Sequence, residues 1–213
     1  FHPKVAAILN ITEDHLNRHK TMDNYINLKA GIFKNSMESD WVILNADDPL
    51  SANLASKTKA QVLFFSRNRV LDRGAWIEKD WMVVDLGHGK EKVCKVEDIF
   101  IPGPHNLENA LAAALIVRVM EVPTQIIAHV LKVFPGVEHR IELVETIDGI
   151  TFYNDSKGTN IDATIKAIDS MTEPTVIIAG GYDKGSDFDA LIDAFGSTIS
   201  HLVVLGETSE KVS

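Results

Sequence analysis

Apolar positions in this chain fall into short continuous runs separated by helix-periodic stretches. Val5 to Asn10, V-A-A-I-L-N, reads as a buried strand running into a polar turn. From Thr21 to Asn35 the apolar residues Met22, Tyr25, Ile26, Leu28, Ile32 and Phe33 lie close to a helical stripe. Trp41 to Leu44 is a second buried strand, closed by Asn45-Ala46-Asp47-Asp48-Pro49. A short helix and a third strand, Gln61 to Phe65, follow. Strand–helix–strand repetition of this kind predicts parallel α/β architecture, because parallel neighbours need a crossover that is usually helical.

Between Gly74 and Ile101 the rhythm changes. Segments such as Trp81 to Val84 and Lys92 to Val96 alternate around Gly87-His88-Gly89, which predicts an antiparallel meander at the sheet edge. Pro102-Gly103-Pro104 breaks it, and two apolar helices are expected, from about Asn106 to Met120 and from Pro123 to Phe134. After Pro135-Gly136 the α/β rhythm restarts: strand Ile150 to Tyr153, helix Asn160 to Met171, strand Thr175 to Ala179, helix Asp187 to Phe195 and strand His201 to Leu205. A domain boundary is therefore expected near residues 136 to 139. A mostly parallel sheet would precede it and a partial Rossmann-like parallel sheet would follow. A helix is expected to begin after Gly206, so the second sheet looks incomplete at Ser213.

Composition narrows the class. Hydrophobic residues are 45% of the 213 and charged residues 24%, ordinary for a globular protein with a sizeable core. No apolar run approaches the roughly 20 residues that span a bilayer; the run Ala110 to Val117 stops at Arg118. The single cysteine, Cys94, rules out an internal disulfide framework and fits a reducing compartment. A net charge of −9 argues against a nucleic-acid surface, yet phosphates can be held locally by a few cations and backbone N–H groups. The chain opens on Phe1 without a signal-peptide pattern.

Several polar groups sit where α/β proteins place ligands, beyond the C-terminal ends of strands. Thr12 to His19, T-E-D-H-L-N-R-H, offers Asp14 and His15 as metal neighbours, although the motif alone favours slightly more a helix start capped by Thr12, with Glu13 and Asp14 favouring its dipole. Lys29 stands among apolar positions of a helix, where a lysine ordinarily snorkels to solvent. Asn106 can cap the helix after Pro-Gly-Pro, with Asn109 one turn on; together two amides could read a base edge. Arg140, at the expected junction, could clamp a phosphate or pair with Glu142. N-D-S-K-G-T-N, Asn154 to Asn160, gathers Asp155, Lys157 and Thr159 around Gly158 between a strand and a helix, a loop suited to ribose and an anion. A-G-G-Y-D-K-G presents Lys184 at a glycine turn that is neither a dinucleotide fingerprint nor a Walker A loop.

In order, I-L-N-I-T-E-D-H-L-N-R-H, Lys29, H-N-L-E-N-A-L-A-A-A, E-H-R-I-E, N-D-S-K-G-T-N and A-G-G-Y-D-K resemble the Mur ligase family across nearly the whole chain. N-D-S-K-G-T-N is most similar to the members that add D-glutamate to UDP-N-acetylmuramoyl-L-alanine. The next ligase of that pathway carries D-Y-A-H-x-P there, and folylpolyglutamate synthase D-G-A-H-N-P. The resemblance implies an ATPase-like central domain over residues 1–137 and a partial amino-acid-binding domain over 138–213. It implies an ATP-dependent cytoplasmic ligase, monomeric, with Mg²⁺, acting in peptidoglycan synthesis through an acyl phosphate. By resemblance His15 and a carbamylated Lys29 hold the metal, with Asp14 beside them. Asn106 and Asn109 face adenine, Arg140 and Asp155 the ribose and phosphates, and Lys157, Thr159 and Lys184 the D-glutamate side. Asn17 departs from the family's frequent aspartate in E-D-H-x-D-R. The family's G-K-T/S phosphate loop is expected upstream of residue 1, so both ends of the enzyme are expected to lie outside the chain, and this piece alone is not expected to turn over. Competing expectations are another Mur-type or folylpolyglutamate-type ligase, and a nucleotide-binding module without catalysis.

Overall fold

The computed structural model describes residues 1–12, 16–181 and 188–206, and the side chains of Leu16 and Asn17 are not described. The chain divides into two compact units, one of residues 1–101 and 105–134, the other of residues 102–104 and 135–213.

In the first unit the order is β1 (Val5–Ile8), α1 (Leu16–His19), α2 (Met22–Ala30), β2 (Trp41–Asn45), α3 (Pro49–Ala52), β3 (Gln61–Ser66), β4 (Gly74–Glu78), β5 (Trp81–Asp85), β6 (Glu91–Lys95), α4 (Pro104–Val119) and α5 (Thr124–Val133). One six-stranded sheet holds all the strands in sequence order. β1 to β4 pair in parallel; β4, β5 and β6 pair antiparallel, as the expected edge meander. Gly74 makes the junction possible. Its φ is +127°, and a Cβ there would lie 1.9 Å from the Phe64 carbonyl oxygen on β3.

Alternation along the central strands feeds two cores, because successive side chains leave opposite faces of a strand. Ile43, Leu63 and Phe65 pack with Leu111, Leu115, Ile127 and Leu131 of α4 and α5. Val42, Leu44, Ala6 and Ile8 pack on the other face with Leu54, Phe33 and the half-buried Met22, Tyr25 and Ile26 of α2. Alanines Ala110, Ala112 and Ala114 keep α4 slim where it meets the sheet, and all three are buried. Two helix boundaries differ from expectation. α2 stops at Ala30 and turns into a 3-10 segment, Gly31–Phe33, leaving Leu28 63% exposed on the far side of the stripe. α4 starts at Pro104, a residue suited to the first turn because its missing N–H is not needed there. Asn106 therefore lies inside the first turn rather than capping it.

The second unit holds β7 (Glu142–Ile147), β8 (Ile150–Asn154), α6 (Ile161–Ile168), β9 (Thr175–Gly180), α7 (Asp189–Asp193) and β10 (Ile199–Leu205). β9 and β10 pair in parallel, as expected. β7 was not expected. It pairs antiparallel with β8 through Asp148-Gly149, whose φ values of 51° and 81° give the left-handed two-residue turn that favours hairpins. Asn160 caps α6, its side-chain oxygen accepting the Ala163 N–H at 2.8 Å. The expected helix after Gly206 lies outside the described residues.

Candidate active site

At the C-terminal ends of β1, β2 and β3, the turn Asn45-Ala46-Asp47-Asp48 binds the strand ends together. Asp48 accepts the Ile11 N–H at 2.7 Å and, through its other oxygen, the Leu50 N–H at 2.9 Å, capping α3. The buried Ser51 hydroxyl donates to the Ile8 carbonyl and accepts the Asn45 N–H. Asp47 accepts from the Ser66 hydroxyl at 2.7 Å, the Arg67 and Asn68 N–H groups and the Arg69 guanidinium. Burial pushes the Asp47 carboxyl up, but those four donors outweigh it and hold the group below the usual carboxylate range. The sequence marked this turn only as the end of a strand. Its two adjacent aspartates after an apolar run were the available signal for strand-end acceptors.

Ile11 and Thr12 lead into the T-E-D-H segment, of which Asp14 and His15 lie outside the described residues. Lys29 is on α2, exposed, with its ammonium 4.9 Å from the Tyr25 ring centroid, and His19 packs against the same ring at 5.1 Å. At that distance the ammonium is within reach of a cation–π attraction. Among the described residues no group of three His, Cys, Asp or Glu is placed to hold a metal. The expected ligands Asp14 and His15 are outside that set.

The α4 start brings Asn106 and Asn109 together, the Asn109 amide donating to the Asn106 side-chain oxygen at 3.4 Å. Asn109 is exposed. Between them Glu108 accepts from the Arg67 guanidinium at 3.2 Å. Because Arg67 also donates its N–H to Asp47, the end of β2, the end of β3 and the first turn of α4 are linked through side chains. Two clefts, of about 370 and 480 Å³, lie along α2; their walls include Asn27, Lys57 and Arg18 but neither Asn106 nor Asn109. The chemistry of the amide pair, rather than concavity, marks the α4 end.

In the second unit the turn before β7 and the loop after β8 are stitched into one surface. Asp155 accepts the Ile141 N–H at 3.1 Å, the Lys157 N–H donates to the His139 carbonyl at 3.0 Å, and the Gly158 N–H donates to the Asp155 carbonyl at 2.8 Å. Arg140, Lys157 and Thr159 are exposed. Arg140 and Glu142 do not form the ion pair considered from the sequence; the Glu142 carboxylate is taken up by the His139 N–H and the Asn154 amide. One Asp155 oxygen is likewise committed to the main chain. Lys184 lies outside the described residues.

Two family models match the chain, "Mur ligase middle domain" over residues 1–117 and "Mur ligase, glutamate ligase domain" over residues 139–213. This chain belongs to the Mur ligase family. Similar Mur ligases include the UDP-N-acetylmuramoylalanine--D-glutamate ligase of Thermoanaerobacter sp. (strain X514), 48% identical over 212 residues, covering 100% of this chain and 47% of that protein. The ligase of that name from Caldanaerobacter subterraneus subsp. tengcongensis is 50% identical, covering 100% and 46%. The chain spans about half the length of these relatives. Among solved Mur ligase structures, MurF from Acinetobacter baumannii superposes with a TM-score of 0.79 at 19% identity, covering 99% of this chain and 48% of that one. MurF from Thermotoga maritima in complex with ADP gives 0.72 at 18%, covering 100% and 51%. These two likenesses establish the α/β fold.

Proposed function

We propose that the protein containing this chain is an ATP-dependent ligase that joins D-glutamate to UDP-N-acetylmuramoyl-L-alanine. The observation that carries the reading is the identity of 48 to 50%, over essentially the whole chain, to ligases bearing that substrate pair in their names. The N-D-S-K-G-T-N loop supports the same branch of the family.

In this reading the alanyl carboxylate takes the γ-phosphoryl group of ATP, ADP leaves, the D-glutamate amine attacks the acyl carbon, and the tetrahedral adduct expels phosphate to give the amide. Catalysis is then positioning and charge stabilisation, with no protein nucleophile. Residues 1–137 supply the nucleotide side, with Asn106 and Asn109 at adenine and the Asp47–Arg67–Glu108 chain bracing that end of α4. Residues 138–213 supply Arg140 and Asp155 toward ribose and phosphates, and Lys157, Thr159 and Lys184 toward D-glutamate. Mg²⁺ would neutralise phosphate charge beside His15, Asp14 and Lys29; a carbamate on Lys29 supplies the oxygens that the amine lacks. The enzyme works in the cytoplasm as a monomer, with neither nucleic acid nor membrane as partner. No helix among the described residues is long and apolar enough to cross a membrane.

Oxygen transfer tests the reaction. With full-length protein and UDP-N-acetylmuramoyl-L-alanine labelled with ¹⁸O in its carboxylate, one labelled oxygen should appear in the released phosphate for each amide formed. Phosphate without label would exclude the acyl phosphate.

A further inference from the structure

The segment Glu138-His139-Arg140-Ile141-Glu142 holds an unusual backbone. His139 has φ +67° and Ile141 φ +44°, so two non-glycine residues in the left-handed region flank Arg140. For Ile141 this is costly, because its branched β-carbon crowds the following carbonyl. Such a turn persists only where its surroundings hold it. Here the partners are specific: the His139 N–H donates to Glu142 Oε2 at 2.7 Å, the Asn154 amide donates to the same oxygen at 3.3 Å, and Asn154 Nδ2 also lies 2.9 Å from His139 Nδ1. The Asn154 side-chain oxygen in turn accepts the Ser156 N–H at 3.1 Å. Asp155 secures Ile141 from the other side at 3.1 Å.

We propose that Glu142 is a positioning residue: its Oε2 atom ties the strained turn to the end of β8, and so fixes the direction in which Arg140 is presented. The proposal rests on the reading that Arg140 meets the nucleotide. Glu142 acts as a two-fold acceptor rather than as a charge, because both donors converge on one oxygen. His139 Nδ1 is 3.5 Å from that oxygen, beyond a good hydrogen bond.

This separates two substitutions. In the full-length enzyme Glu142→Gln keeps a carbonyl oxygen for both donors and should leave the apparent KM for ATP within about twofold of wild type. Glu142→Ala releases the turn and should raise that KM roughly tenfold, with the KM for D-glutamate unchanged, as expected for loss of one well-placed contact. The effect should vanish in an Arg140→Ala background, since Glu142 would then have nothing left to position. A Glu142→Ala variant that is merely less stable would weaken both backgrounds alike, so the cycle stays decisive even if its Tm falls. Equal impairment by Gln and Ala, or additive effects in the cycle, would overturn the positioning role while leaving the ligase reading intact. An Arg140→Ala enzyme with a normal KM for ATP would overturn both the positioning role and the assignment of Arg140 to the nucleotide.

Discussion

Asp48 and Ile11 are 37 residues apart in sequence, yet the Asp48 carboxylate accepts the Ile11 N–H at 2.7 Å. A carboxylate just past β2 thereby fixes the main chain just past β1, at the point where the chain enters the T-E-D-H segment. Its second oxygen caps α3.

Removing both acceptors should be measurable. Asp48→Ala in the full-length protein should lose about 2 kcal/mol, from one cap and one further hydrogen bond. Asp48→Asn retains a single acceptor and should lose about half of that. Urea unfolding measures both; equal midpoints for wild type and Asp48→Ala would show that Ile11 and α3 do not depend on this carboxylate.

Asp40 gives a pH signature. It is buried at the start of β2, where His2, the Met37 N–H and Lys4 converge on it. The His2 hydrogen bond contributes most, then the Met37 N–H; they hold its pKa at about 2, down from the ordinary 3.8. A carboxylate depressed on folding stabilises the folded state above its unfolded pKa, and that contribution disappears as pH falls through the folded value. Stability from Asp40 is therefore complete above about pH 4 and lost toward pH 2. Thermal midpoints measured from pH 5 to pH 2 should fall more steeply for wild type than for Asp40→Asn. Parallel curves would remove Asp40 as the source.

Asn109 and Asp155 should separate under substitution. Both are assigned to the nucleotide, so alanine at either should raise the KM for ATP, by the equivalent of roughly 1–3 kcal/mol. Only Asp155→Ala should also lower the melting temperature, because its carboxylate holds the Ile141 N–H while Asn109 is exposed. A raised KM for D-glutamate with that for ATP unchanged would reverse the assignment.

Lys29 is where the two readings of the sequence diverge most. Its exposure and its place over Tyr25 mean that Lys29→Ala should fold normally, losing at most about 1 kcal/mol of cation–π attraction. If Lys29 works as a carbamate, the same variant should be nearly inactive, and acetate or formate should restore part of its turnover. Near-normal activity of Lys29→Arg in CO₂-free buffer would return Lys29 to an ordinary solvated lysine.

The sheet was legible because buried parallel strands are continuous apolar runs; Trp41 to Leu44 and Gln61 to Phe65 are found within one residue of their sequence bounds. β7 was not, since Glu142 to Ile147 mixes exposed apolar and acidic residues and packs little. Asp148-Gly149 is its one strong sequence signal, a two-residue hairpin turn. Asn109 and Lys157 stood out in the sequence as polar groups at a helix start and a strand-end loop, and the structure places both there, exposed. What Asp47, Asp48 and Asp155 do was not. Each has among its partners a main-chain N–H group 14 to 37 residues away, and a backbone donor has no letter in the sequence.

Amino-acid choice distinguishes a D-glutamate ligase from every other member of the family. Full-length protein supplied with ATP and UDP-N-acetylmuramoyl-L-alanine should be offered D-glutamate, L-glutamate, D-alanine, L-lysine and meso-diaminopimelate separately, with the amide product identified by mass. In the ligase reading kcat/KM for D-glutamate should exceed every other value by roughly 10²-fold or more, because a site that pairs both carboxylates and the amine in the D configuration would leave polar groups unpaired with any other amino acid. A higher kcat/KM for any other amino acid, or no amide with D-glutamate, would contradict it.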